Sequence, residues 1–124
     1  MYKVLLVFLC IMLTTTSYSQ KFKVVEDSRL AKIAGRLKGE KDKYAITIGK
    51  TIFLNCKAEV FFSDPGWVRH ELTHVKQYKE YGILRFLQLY IFYSIFHDYK
   101  NIPFEKEALS AQYSEDQAIT ANKK

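Results

Sequence analysis

The chain has 124 residues, of which 48% are hydrophobic, with 19 Lys and Arg against 13 Asp and Glu for a formal charge of +6. That length admits one small domain, near the size at which a single core barely outweighs chain entropy without a metal or a cross-link. The basic residues are scattered rather than clustered, which argues against a nucleic-acid footprint and leaves a surface suited to anionic lipid, wall polymer or acidic partners.

The first segment reads as an export signal. Lys3 supplies a positive start, Val4 to Leu13 are apolar, and Ser17 and Ser19 put small residues just before Gln20, where a signal peptidase would cut. The expected division is a signal peptide over 1–19, a domain over 20–113 and a loosely held tail over 114–124, with the mature protein periplasmic or secreted. The apolar run is shorter than the about 20 residues that span a bilayer, so cleavage is expected over anchoring. Cys10 departs with the signal and leaves Cys56 alone, so no intramolecular disulfide can support the domain. A bound metal would then matter to stability as well as to reactivity.

Next in order, Leu30, Ile33, Ala34 and Leu37 recur at helical spacing and predict a short first helix that ends in charge and glycine. Tyr44, Ile46 and Ile48 alternate, Gly49-Lys50 suits a two-residue turn, and Thr51 to Leu54 is rich in β-formers, which together predict a hairpin. The run "AEVFFS" is either a third strand or a buried approach to the next helix. At "SDPGW", Asp64 is placed to cap and Pro65 to occupy a first turn, so a helix is expected from there to Tyr81, stopped by Gly82. Ile83 to Phe96 follows as a second, greasy helix, with Arg85, Gln88 and Ser94 as its clear polar breaks. It is expected to be a core helix, with peripheral membrane or envelope contact as the other reading, since fourteen residues are too few to span. A third long helix opens at Pro103, with Phe104, Ala108 and Ala111 on one face. The fold class is therefore α+β.

Within the capped helix the sequence reads His70-Glu71-Leu72-Thr73-His74, an HExxH pattern. Residues one helical turn apart share a face, so both imidazoles can hold one Zn²⁺ at about 2.0–2.1 Å. Glu71 then stands beside the ion rather than on it, where a carboxylate can take a proton from activated water and pass it to a leaving amine. A catalytic zinc needs a third protein donor. Gln77 and Glu80 stand where an extended HExxHxxGxxH pattern would have glycine and histidine, so that donor is not on this helix. Glu105 and Glu107 in "PFEKEA" both flank the apolar face of the third helix, and periodicity does not choose between them.

The ordered series "AITIGKTIFLN", "VRHELTHVKQYKEYG" and "NIPFEKEA" resembles the small zincins of the extracellular contractile injection system core-domain type, neighbours of the gluzincin peptidases. The likeness spans Leu30 to Ala111. It implies a minimal zincin-like domain: a short sheet whose edge strand can pair with an extended peptide, above a zinc-bearing helix. His70 and His74 match the ligands of that pattern, Glu71 the base, and the "ExEA" segment the third ligand. Relatives with an "ExxAD" helix would place that ligand at Glu105, and thermolysin-like peptidases at Glu107; Leu109 and Ala111 stand where the two patterns have aspartate. Glu105 is favoured, with Glu107 as the alternative.

For the developing oxyanion, His97, Tyr99 and Tyr113 are candidate donors, His97 being the one histidine outside the motif. The expected activity is that of an exported zinc metalloprotease acting on a peptide or protein substrate held at the edge of Thr51 to Leu54. The competing expectation is a non-catalytic, zinc-stabilised binding module of the envelope or of a secreted complex.

Overall fold

The computed structural model describes residues 21–122, so the expected signal peptide lies outside the described residues. Among these, five α-helices accompany a three-stranded sheet, and the fold is α+β. In chain order they are β1 (Lys23–Val25), α1 (Arg29–Lys38), β2 (Ala45–Ile48), β3 (Thr51–Leu54), α2 (Ala58–Phe62), α3 (Pro65–Tyr81), α4 (Ile83–Phe96) and α5 (Pro103–Asn122). A single 3₁₀ turn, Tyr99–Asn101, joins α4 to α5. The backbone of α5 continues as helix past the expected end of the domain at 113.

The hairpin forms where the turn chemistry put it. Ile48 pairs with Thr51 across Gly49-Lys50, and Gly49 at φ 63° supplies the positive first-position dihedral that suits a right-twisted pair of strands. Two expectations for the sheet are corrected. β1 adds in parallel to β3, giving the order β1-β3-β2, so Thr51 to Leu54 is the central strand and has no free edge. Among the described residues β1 and β2 are the edge strands, and β2 is the one that borders the cleft described below. A three-residue strand is too short to carry a period, which is why β1 is invisible in the sequence. The alternation in β2 is also inverted: Thr47 is the buried side chain and Ile48 is exposed. The "AEVFFS" run is helical, as α2, rather than a strand.

The sheet is sealed by β3, whose Ile52 and Leu54 are fully buried with Phe61 of α2 and Val75 of α3. α1 packs on this layer through small residues. A Cβ on Gly35 would sit 2.6 Å from the Glu40 carbonyl, so α1 approaches the following loop through glycine while Leu30, Ile33 and Leu37 face outward. Asn55 ties that loop to the hairpin: its Oδ1 accepts from the Tyr44 N–H at 2.7 Å and its Nδ2 donates to the Lys41 carbonyl at 3.1 Å.

α3 starts and stops as the sequence predicts. Asp64 Oδ1 accepts from the Trp67 N–H at 3.1 Å, Pro65 occupies the first turn, and Gly82 closes the helix at φ 80°. A second cluster of Tyr78, Phe86, Ile102 and Phe104 joins α3, α4 and the start of α5. α4 has the expected bounds, yet Phe86 is its one buried residue. The core-helix reading is therefore corrected: only the side of α4 facing Tyr78 and Phe104 is packed, and among the described residues nothing covers its other face. Among the described residues, no helix is long and apolar enough to cross a membrane.

Candidate metal centre

α3 and α5 lie against each other beneath β2, and the contact surface between them is polar. His70, Glu71, His74 and Gln77 on α3 and Glu105 on α5 are all buried. Three of these converge. The His70 and His74 Nε2 atoms are 3.3 Å apart, Glu105 Oε2 lies 3.3 Å from His70 Nε2, and Glu105 Oε1 lies 3.4 Å from His74 Nε2. A tetrahedral centre with bonds of about 2.0–2.1 Å sets its ligand atoms about 3.3–3.4 Å apart, the spacing of the two ring nitrogens here, and the Glu105 carboxylate turns one oxygen to each ring at the same spacing. His70, His74 and Glu105 thus form a cluster that could hold a metal ion.

Two further observations test that fit. Glu105 Oε2 is buried without a well-formed hydrogen bond, facing His70 Nε2 at 3.3 Å, an arrangement that a cation between the two would answer. The outer nitrogens of both rings are also committed. His74 Nδ1 lies 2.9 Å from Gln77 Oε1, and His70 Nδ1 lies 3.0 Å from Gln112 Oε1. The Gln77 amide has only one sensible orientation, since its Nε2 donates to the Phe104 carbonyl and to Glu107 Oε2, both at 3.0 Å. Its oxygen must then accept from His74, which puts that proton on Nδ1 and leaves the Nε2 lone pair for a ligand.

Charge in the cluster is strongly coupled. Burial pushes the Glu105 carboxyl up, but His70, His74 and the Tyr99 hydroxyl more than reverse this and hold it well below the usual carboxylate range. Burial lowers His74, and the hydrogen bond and charge of Glu105, with Glu71 and Gln77, outweigh it, so His74 is raised. Tyr90 donates to Glu105 Oε1 at 2.9 Å, and burial together with the Glu105 charge keeps the Tyr90 and Tyr99 hydroxyls protonated far into the alkaline range.

Glu71 stands apart from the three donors. Thr47 on β2 donates to its Oε2 at 2.7 Å, so the open strand and the motif helix are joined through this carboxylate. A cleft of about 550 Å³ opens over the cluster, lined by β2 on one wall, by Tyr90 and Tyr99 on another, and floored by His70, Glu71, His74 and Glu105.

The residues singled out in the sequence are therefore distributed as follows. His70, His74, Glu71 and Glu105 come together at the cleft floor, with Tyr99 and Tyr113 on its walls. Glu107 is exposed and acts on Gln77, not on the cluster. His97 caps the end of α4, exposed and outside the cleft lining. Sequence reasoning missed Thr47, Gln77, Tyr90 and Gln112. Only Gln77 carried a readable signal, because it follows His74 by three residues and so faces it on a helix. Comparison with protein-family models, with curated proteins and with solved structures finds no match to this chain.

Proposed function

We propose that this protein is a zinc-dependent peptidase whose metal is held by His70, His74 and Glu105. The observation that carries the reading is the convergence of the His70 and His74 Nε2 atoms, 3.3 Å apart, on a carboxylate that turns one oxygen to each, while both outer ring nitrogens are already committed. Two imidazoles and one carboxylate suit zinc better than magnesium or calcium, which prefer all-oxygen sites. Three protein donors beneath an open cleft also fit a catalytic site, whereas a structural zinc is closed by four. Zinc bound there would supply a Lewis acid and a water acidic enough to attack at neutral pH.

The chain's own residues supply the rest. Glu71, with Oε2 held by Thr47, takes the proton of the attacking water and delivers it to the departing amine. The open edge of β2 offers backbone N–H and carbonyl groups along the cleft wall, where an extended peptide can add as a further strand and bring its scissile bond over the cluster. Gln77 and Gln112 fix the two rings, and Tyr90 fixes Glu105, so the donors keep their positions without substrate. Tyr113 on the wall is the donor this reading gives to a developing oxyanion, since the Tyr99 hydroxyl is already engaged with Glu105.

The test is a Glu71→Gln variant assayed on a peptide library with metal content measured in parallel. Loss of cleavage with zinc retained is expected. Zinc in both forms and cleavage in neither would turn the assignment to a zinc-stabilised binding module.

A further inference from the structure

α4 turns hydrocarbon outward around most of its circumference. Leu84 is 79% exposed and Ile95 71%, with Ile91, Phe92 and Phe96 more than half exposed. Its one charged residue is Arg85. α1 repeats the pattern on a smaller scale: Leu37 is 84% exposed and Ile33 more than half, while the charged residues of this helix are Arg29, Lys32, Arg36 and Lys38, with no acid among them. The two helices share the cleft. Lys38 Nζ stands 5.5 Å from the centre of the Tyr99 ring, just past the end of α4, and Lys38 and Leu87 both line the opening.

A folded chain this small gains nothing from exposed branched and aromatic side chains in water, and contiguous apolar surface marks an interaction site. The charge pattern selects the partner. Apolar faces in helices that carry cations and no carboxylate of their own, with Lys32 paired to Asp27 outside the helix and Arg29, Arg36, Lys38 and Arg85 adding positive charge, complement a surface that is negative at its boundary and hydrocarbon beneath. We propose that α1 and α4 seat the protein on an anionic lipid bilayer, with the cleft opening at that surface. α4 is too short to cross, so it lies in the headgroup layer with its aliphatic side chains reaching the acyl boundary. One consequence rests on the peptidase reading: the substrate is a polypeptide segment held at the bilayer surface rather than one free in solution.

The test uses the full-length chain with sedimenting vesicles of phosphatidylcholine, alone or mixed with phosphatidylglycerol, and hydrogen–deuterium exchange to locate the contact. Binding to the anionic vesicles should exceed that to the neutral ones by about tenfold or more. Exchange should slow across α1 and α4 and be unchanged in β3. Two independent double variants, Leu84→Asp with Ile95→Asp and Arg29→Glu with Arg36→Glu, should each weaken anionic binding about tenfold while keeping zinc content and circular dichroism. Glu71→Gln and His70→Ala should bind vesicles as the parent does, so failure of the peptidase reading and failure of the lipid seat give different results. Equal binding by all variants to both vesicle types, with no slowing in α4, overturns the proposal. A concentration-dependent dimer abolished by Leu84→Asp with Ile95→Asp also overturns it and gives the face to a second copy of the chain.

Discussion

The seam between α3 and α5 and the outer face of α4 invert the usual distribution of side chains. The seam buries two imidazoles, two carboxylates and an amide, while α4 leaves aliphatic and aromatic groups in water. Burying charge is expensive unless every group is answered, and at the seam each outer ring nitrogen and one Glu105 oxygen is answered by a neighbour. What the seam leaves open is a set of three inward donors. What α4 leaves open is surface. The pair teaches that a small fold departs from the ordinary inside-outside rule where another component completes it, a cation in one region and a partner surface in the other.

The comparison breaks most visibly at Glu71. Replacing it with Gln should cut peptide hydrolysis by about 10²–10⁴-fold, the usual contribution of a positioned general base, with zinc stoichiometry unchanged by metal analysis. Glu105→Ala should come next, removing a ligand and abolishing the zinc-dependent rise in melting temperature. Phe86→Ala should cost about 3–5 kcal/mol in denaturant unfolding, as for a buried aromatic, whereas Leu84→Ser on the same helix should stay within about 0.5 kcal/mol. Equal costs at the two positions would mean that α4 is packed on both sides. Glu107→Ala, acting through Gln77 on His74, should weaken zinc affinity by about tenfold, less than the direct ligand does, as read by competition with a chelator. If Glu107→Ala exceeded Glu105→Ala, the assignment of the third donor would move along the helix.

Acidity sharpens the contrast from the side of the seam. Glu105 outweighs burial and raises His74, so the metal-free cluster keeps its proton to higher pH than a free imidazole would, and zinc must displace it. In the metal-free protein this contributes stability that is fully present below the ordinary histidine value and is lost as pH climbs from there through the raised one. Zinc runs the opposite way. The melting shift on adding zinc should therefore be larger at about pH 8 than at about pH 5.5, and Leu84→Ser should leave that difference untouched.

Local physics made part of this legible in advance. The HExxH pair needs only one helical turn, and Asp64, Pro65 and Gly82 announce that helix at both ends. The hairpin was equally plain from Gly49-Lys50. The third donor was narrowed to two glutamates, and choosing between them required the packing of α5 on α3, which no periodicity reports. Gln112 and Tyr90 reach the cluster from distant parts of the chain through tertiary placement alone. α4 departs from its core expectation, and α1 shows why: helical spacing of large apolar residues signals a face that wants cover, but among the described residues that cover is not supplied. In α1 the sheet instead receives Ala31 and Gly35.

The most direct test of the central claim is X-ray absorption spectroscopy of the purified protein after zinc loading, with total metal measured on the same sample. One zinc per chain, coordinated by two imidazole nitrogens and carboxylate oxygen and lost in His70→Ala and Glu105→Ala alike, is the predicted result. A protein that stays free of zinc, or that keeps it unchanged in both variants, would contradict the account.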